Sequence, residues 1–215
     1  MSETNIAEHP LYIAVLEGDA PTAKRLTQEA LDAGANPQDL LSVFMIPAMD
    51  EVGRLFEANE YFVPELLIAA RAMKGAMELI RPLLVEGGAE PIARVVIGTV
   101  RGDLHDIGKN LVAAMLEGGG FEVIDLGVDV SPEKFAAAVK EHKAQIVAMS
   151  ALLTTTMPGM KSIIETLVTE GVREQVKVMI GGAPVTQRYA DEIGADAFSD
   201  NASGAVRTAR SLVTA

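Results

Sequence analysis

Short apolar runs alternate with segments of helical periodicity over the second part of the chain. The apolar runs, rich in β-branched residues, lie at 93–100, 121–126, 144–149, 176–180 and, more weakly, 197–198. Segments with apolar residues at helical spacing follow them, near 107–116, 132–142, 160–170, 187–193 and 202–213. Strands that alternate with helices are typical of a parallel sheet. The pattern predicts a five-stranded parallel sheet flanked by helices over residues 92–215.

Helical periodicity alone characterises the chain from about Leu11 to Leu84. One apolar face repeats at helical spacing, with members Val63, Leu66, Leu67, Ala70, Met73, Met77, Ile80 and Leu84. Pro47 should kink or break the third helix, because proline removes a backbone hydrogen bond. We therefore expect a bundle of about four helices over residues 1–91, ending in a Gly- and Glu-rich linker near Val85 to Pro91.

Composition narrows the class of protein. The 215 residues suffice for two small domains, and they contain no Cys, which excludes disulfides and thiolate chemistry. The formal net charge of −12 disfavours nucleic acid and favours partners with basic surfaces. The sequence has neither a long apolar run nor the pattern of a signal peptide at its polar start, so we expect a cytoplasmic protein.

His105 stands between Asp103 and Asp106 where the first apolar run gives way to a helix. Ligands of open α/β sheets bind beyond such strand ends, and a metal-bound imidazole usually donates its second N–H to a carboxylate. The other histidines, His9 and His142, lie in the N-terminal tail and at a helix end. A metal here would therefore arrive inside a cofactor such as haem or a corrinoid. Alternatively, the aspartates only cap a helix and His105 is a solvated loop residue.

Small polar residues follow the other predicted strands. Ser150 and the hydroxyls of Thr154–Thr156 follow the third strand, and Gly181 and Gly182 follow the fourth. Hydroxyls offer hydrogen bonds to a ligand, and glycines permit close backbone approach. The alternative interpretation is that the glycines form a tight turn and the hydroxyls cap a helix.

The chain contains three short motifs in this order: Asp103, His105 and Gly108; Ser150 and Leu152; Gly181 and Gly182. This pattern resembles the cobalamin-binding domains of methionine synthase and of the corrinoid proteins of anaerobic methyltransferase systems. The resemblance implies a flavodoxin-like or Rossmann-like sheet domain that binds cobalamin or a related corrinoid.

The resemblance also implies roles for individual residues. The cofactor's own base leaves cobalt, His105 becomes the lower axial ligand and the only protein ligand of the metal, and the nucleotide tail enters a slot. Asp103 accepts a hydrogen bond from the second N–H of His105, and Thr156 extends this relay. His105, as the metal ligand, and Asp103, as its hydrogen-bond partner, are therefore the candidate catalytic residues. The implied cofactor-binding residues are Asp103, His105, Asp106, Ile107, Gly108, Ser150, Leu152, Thr154, Thr156, Gly181, Gly182, Asn201, Ala202 and Ser203.

The segment 49–64 resembles the part of the methionine synthase helical domain that covers the upper face of the cofactor. On this match Phe56, Val63 and Leu66 are cap residues. The alternative interpretation places Phe56 and Val63 in the ordinary core of the bundle.

The resemblance implies a corrinoid carrier rather than a complete enzyme. A substrate-specific methyltransferase would charge the cobalt with a methyl group, and a second methyltransferase would pass it to an acceptor such as a folate or a thiol. A reductive activator of cobalt is a further expected partner. The alternatives are a cobalamin-sensing regulatory module, which usually carries a DNA-binding domain, and a mutase subunit, which needs a substrate barrel.

Overall fold

The computed structural model describes residues 6–87 and 91–214. The chain divides into two compact units. One comprises Met1–Pro91 together with Glu117–Gly120, and the other comprises Ile92–Leu116 and Phe121–Ala215. The division of the chain into a domain of residues 1–91 and a domain of residues 92–215 stays a prediction.

The first unit is helical, as expected from its periodicity. Its α-helices are α1 (Pro10–Leu16), α2 (Ala20–Asp32), α3 (Pro37–Asp39), α4 (Ile46–Glu57) and α5 (Val63–Glu86). Helix α2 packs along α5, and α1 packs against both α2 and α4. Fully buried apolar residues of these helices include Val15, Ala23, Val52, Leu66, Met73 and Ile80. The apolar face predicted for α5 is thus only partly buried, because Val63 and Leu67 remain exposed.

The sequence predicts that Pro47 kinks or breaks the third helix, and the structure shows a change of helical register just before this residue. A π-helical segment, Leu40–Met45, joins α3 to α4, and the N–H of Ile46 donates to the carbonyl of Leu41, five residues back. Pro47 then lies at the start of α4, where the missing backbone N–H costs little. Because of this change of helical register, Pro47 is accommodated in the first turn of α4.

Helix α5 extends to Glu86, so the predicted start of the linker at Val85 is wrong by two residues. Helix ends are the least certain part of a pattern-based prediction, because propensity does not fix the last turn. Residues 88–90 of the predicted linker lie outside the described residues. Within the described part of the chain, no helix combines the length and apolarity needed to cross a membrane.

The second unit is a five-stranded sheet with the order β2-β1-β3-β4-β5, and each neighbouring pair is parallel. Its strands are β1 (Arg94–Thr99), β2 (Glu122–Asp125), β3 (Ile146–Ser150), β4 (Lys177–Gly181) and β5 (Ala197–Ser199). Its helices are α6 (Ile107–Gly118), α7 (Pro132–His142), α8 (Pro158–Thr169), α9 (Gln187–Ile193) and α10 (Ala202–Thr214). The last two residues of α6 are counted with the first unit. This is the strand order of flavodoxin-like folds, so the predicted fold class is confirmed.

One continuous core joins helices α7, α8 and α9 to one face of the sheet. Strands contribute alternate residues to it, such as Val96, Val147 and Val178. Alternation along each strand therefore directs the intervening residues to the opposite face. Phe135 of α7 lies at the centre of this core and is fully buried. Its ring fits against Gly98, where an added Cβ would lie 2.8 Å from the ring.

The strand order reverses direction between β1 and β3. From β1 the chain crosses to β2 on one side, whereas β3 leads to β4 on the other. Right-handed crossovers then place the helices that follow β1 and β3 on opposite faces of the sheet, which leaves a crevice between the two strand ends. The loops that follow these two strands border the place where ligands of such folds bind.

Replacement of Phe135 by Ala should lower the free energy of unfolding of the α/β unit by about 3–5 kcal/mol, because the large cavity left in this core cannot fully close. The control is Val168→Ala on the same side of the sheet. Val168 is exposed, so its truncation should change that free energy by less than about 0.5 kcal/mol.

Urea unfolding followed by tyrosine fluorescence measures this effect. The chain has three tyrosines and no Trp, and Tyr189 is the tyrosine of the α/β unit. A background with Tyr12→Phe and Tyr61→Phe therefore reports on that unit alone. An equal midpoint for the two truncations would contradict the assignment of Phe135 to the centre of the core.

Candidate functional site

A buried carboxylate connects the loops that follow β1 and β3. Asp103 is fully buried, and its Oδ1 accepts hydrogen bonds from the backbone N–H of His105 at 3.0 Å and from the imidazole Nδ1 at 2.7 Å. Its Oδ2 accepts from the N–H groups of Leu152 and Leu153 at 2.8 and 3.4 Å and from the Thr156 hydroxyl at 2.7 Å. The donors come from His105 and from the loop after β3.

These hydrogen bonds keep Asp103 ionised. Burial by itself raises the pKa of the carboxyl, because it penalises the charged form. The N–H groups of Leu152 and His105 and the hydroxyl of Thr156 outweigh burial and hold the pKa of Asp103 well below its usual value. An ionised carboxylate only accepts, so the imidazole carries its proton on Nδ1.

The His105 side chain remains half exposed, with 49% of its surface accessible. Within residues 6–87 and 91–214, its imidazole hydrogen bond involves Nδ1 alone. The Nε2 atom, at the carboxyl edge of the sheet, is therefore the ring nitrogen that can offer a lone pair to a metal when the imidazole is neutral. This is the arrangement of a metal-ligating histidine, in which a carboxylate fixes the tautomer and the orientation of the ring.

The ends of four strands form one row along this edge. Thr99 pairs with Ser150, Ser150 with Gly181, and Gly181 with Ser199. The sheet thus brings the predicted residues Ser150 and Gly181 together. An added Cβ on Gly181 would lie 3.0 Å from the carbonyl oxygen of Ser199, so glycine allows this close packing.

Gly182 occupies a position that only glycine fits. Its φ of +127° is rarely adopted by other residues, and a Cβ there would lie 2.0 Å from the carbonyl oxygen of Ala151. The turn after β4 therefore packs closely on the loop after β3. The tight-turn interpretation explains why glycine is required at position 182. Because glycine has no side chain, the turn also adds none at this end of the strand.

Exposed apolar side chains occur next to His105 in the chain and in the loop after β3. Leu104 and Ile107 are 71% and 82% exposed, and Leu152 and Leu153 are also exposed. The predicted residue Thr154 lies in the same exposed loop. Gly108, the second residue of α6, has no atom within 4 Å of a built Cβ. Packing within the chain does not require glycine at that position, so this open space remains for a ligand.

The interpretation that the aspartates only cap a helix does not describe Asp103, whose bonds run to the neighbouring loop. Asp106 precedes α6, and its carboxylate accepts from the side chain of Asn110 at 3.1 Å. At the far end of the edge, Asn201 does cap a helix, since its Oδ1 accepts from the N–H of Gly204 at 2.7 Å. Ala202 and Ser203, which follow it, are buried.

The three predicted cap residues lie in the helical unit and differ in exposure. Val63, at the start of α5, is exposed, and Phe56 in α4 is partly buried. Leu66 is fully buried, in agreement with its place on the apolar face predicted for this helix. Their assignment to the upper face of a cofactor stays a prediction.

Three further residues near His105 in the chain or in space are not among the predicted site residues. Lys109 is nearly fully buried and pairs with Asp125; a charged residue within an apolar helical stretch is the signal that could have identified it. Asp129 has a φ of +52°; its N–H donates to the carbonyl of Asp103, and its Oδ1 accepts from the N–H of Gly102. Thr99 was also missed.

Comparisons with known proteins identify the family. Residues 93–209 match the B12 binding domain family, and residues 7–81 match a second family described as a B12 binding domain. The chain is 47% identical over 179 residues to dimethylamine corrinoid protein 1 of Methanosarcina acetivorans, covering 83% of this chain and 84% of that one. It is 45% identical over 202 residues to trimethylamine corrinoid protein 1 of the same organism, covering 93% and 94%.

Solved structures agree. A cobalamin-binding protein from Desulfitobacterium hafniense DCB-2 superposes with a TM-score of 0.79 at 34% identity, covering 94% of this chain and 96% of that one. A chain of the methanol:cobalamin methyltransferase complex MtaBC from Methanosarcina barkeri superposes with a TM-score of 0.86 at 29% identity, covering 99% and 81%. The predicted corrinoid cofactor is thereby confirmed, and the chain belongs to the B12 binding domain family.

Proposed function

We propose that this chain is a corrinoid carrier, which accepts a methyl group from a substrate-specific methyltransferase and delivers it to a second methyltransferase. One observation supports this proposal above the others. His105 is held by the buried Asp103, and its Nε2 is available at the crevice between β1 and β3. The relatives named as dimethylamine and trimethylamine corrinoid proteins support the same role.

The residues present fit a corrinoid. The described part of the chain holds no cluster of three or more His, Cys, Asp or Glu side chains suited to a metal ion. One imidazole with a carboxylate partner suits a metal whose equatorial ligands come from a macrocycle. The exposed apolar side chains beside His105 suit the wide, flat face of such a ring.

His105 would be the lower axial ligand, and the row of Ser150, Gly181 and their neighbours would line the slot for the nucleotide tail. When bound, the corrinoid supplies the cobalt that takes up and releases the methyl group. The chain's own part is to orient the imidazole and to hold its proton: Asp103 keeps the proton on Nδ1, and Thr156 holds the second carboxylate oxygen.

The partners follow from the same role. A methyltransferase specific for a methylated substrate would bind first, and the solved complex of a related chain is a methyltransferase complex. The acceptor would be a second methyltransferase that passes the methyl group to a folate or a thiol, and a reductive activator would restore oxidised cobalt.

Removal of the imidazole tests the site. Wild-type chain reconstituted with hydroxocobalamin should retain about one cobalt per chain and show a visible spectrum that differs from that of His105→Ala, in which the axial nitrogen is lost. His142→Ala removes an imidazole from the end of α7 and is the matched control. A spectrum that is the same in wild type and His105→Ala would contradict the assignment of the ligand.

Asp103→Asn should destabilise the α/β unit and disturb the ligand together. An amide has one acceptor oxygen, whereas donors point at both oxygens of Asp103, so at least one set of buried donors loses its partner. We expect the free energy of unfolding to fall by about 2–4 kcal/mol, measured in urea on cofactor-free protein. Asp191→Asn on α9 changes an exposed carboxylate and should have little effect. Equal stability of Asp103→Asn and wild type would show that the carboxylate is not required.

Methyl transfer tests the carrier role directly. The reconstituted chain, reduced chemically under anaerobic conditions, should acquire the spectrum of a methylated corrinoid when a cognate methyltransferase and its substrate are added. Methylamines, methanol, methoxylated aromatics and betaines are the donors to compare. The His105→Ala chain, loaded with the same corrinoid, should be methylated more slowly. Binding of the corrinoid without methylation by any donor and its methyltransferase would refute the carrier role while leaving the binding site intact.

A further inference from the structure

Thr99, the last residue of β1, connects the sheet to the main chain of His105. It is fully buried, and its hydroxyl donates a hydrogen bond to the carbonyl oxygen of His105 at 3.0 Å. A hydroxyl buried in an apolar strand needs a partner, because an unpaired one costs free energy. Here that partner lies six residues further along the chain.

Thr99 is itself held firmly. Its N–H donates to the carbonyl of Gly127 at 3.0 Å, and its carbonyl accepts from the N–H of Val130 at 3.0 Å. It also pairs with Ser150 of the neighbouring strand β3. The residue that bears the hydroxyl is therefore anchored in the sheet and does not belong to a loop.

Three polar groups of His105 are hydrogen-bonded: the backbone N–H, the backbone carbonyl and the ring Nδ1. The N–H and the Nδ1 of His105 both donate to Asp103, and the carbonyl accepts from Thr99. Two fully buried side chains thus fix the peptide units before and after the Cα atom, and with them the direction of the Cα–Cβ bond. The Nε2 atom is left as the atom that faces outwards.

We propose that Thr99 is a positioning residue for the axial ligand: by holding the His105 carbonyl, its hydroxyl aims the imidazole at the cobalt before the corrinoid binds. This inference rests on the proposed function. A ligand held in place loses less conformational freedom when it coordinates, so the bond to the metal is stronger. The same constraint keeps the imidazole near the metal when the bond opens.

Three variants test this proposal: Thr99→Val, which has the same shape without the hydroxyl; Thr99→Ser, which keeps the hydroxyl; and Ile163→Val, a core change in α8 of comparable cost to stability. Each is loaded with hydroxocobalamin. The visible spectrum then gives the ratio of histidine-bound to histidine-free corrinoid at the pH where the wild type is half ligated. In Thr99→Val this ratio should fall about 3- to 10-fold, the effect of one lost hydrogen bond.

The two controls separate positioning from stability. Thr99→Ser should restore the ratio to near the wild-type value, and Ile163→Val should leave it unchanged. A Thr99→Val ratio equal to that of the wild type, or an equal fall in Ile163→Val, would overturn the role of Thr99. If instead the wild-type spectrum does not depend on His105, the assignment of the axial ligand fails and the role of Thr99 fails with it, whereas the carrier role is decided separately by the methyl-transfer experiment.

A measurement on the cofactor-free wild type keeps the proposal testable if Thr99→Val does not fold. Proton NMR should detect the Thr99 hydroxyl as a slowly exchanging signal, because the group is buried and hydrogen-bonded. A hydroxyl that exchanges too fast to be observed would show that the bond to His105 does not persist, and would overturn the proposal.

Discussion

The buried carboxylate of Asp103 is the interaction on which the site depends. A charge removed from water is costly unless it is fully hydrogen-bonded, and here the donors come from two loops that the sequence places far apart. The two loops can satisfy Asp103 only if β1 and β3 are neighbours in the observed register, with Thr99 beside Ser150. The position of His105 is therefore tied to the formation of the sheet, and a site of this precision rests on the most regular part of the fold.

The low pKa of Asp103 has a direct consequence for the imidazole. Because the carboxylate remains charged and accepts on both oxygens, the proton of the neutral imidazole stays on Nδ1 and the lone pair stays on Nε2. A neutral partner in the same place would not select one tautomer so strongly. The chain thus prepares a single donor atom instead of assembling several ligands, which suits a metal whose other ligands come from a macrocycle.

The sequence alone predicted the elements and the central pair of the site, because both follow from local signals. The bounds of α7 and α9 and the juxtaposition of Asp103 with His105 all depend on a few consecutive residues. The supporting contacts were not predictable in this way. Thr99 and Asp129 act through the main chain of a loop whose path depends on tertiary packing, and the π-helical turn before Pro47 changes a register that no propensity encodes.

The surroundings of His105 suggest how a carrier can release its axial ligand without losing its cofactor. Leu104 and Ile107, which are near His105 in the chain, and Leu152 and Leu153, in the loop after β3, are exposed in a chain whose formal net charge is −12. Full burial of one such side chain against a ligand contributes about 1.5–3 kcal/mol, so these four can supply much of the binding free energy of a corrinoid without help from the metal bond. On the proposed function, affinity would then come from apolar contacts and the tail slot. The imidazole would be left to respond to the state of the cobalt, and the bonds from Thr99 and Asp103 would return it to the same place each time.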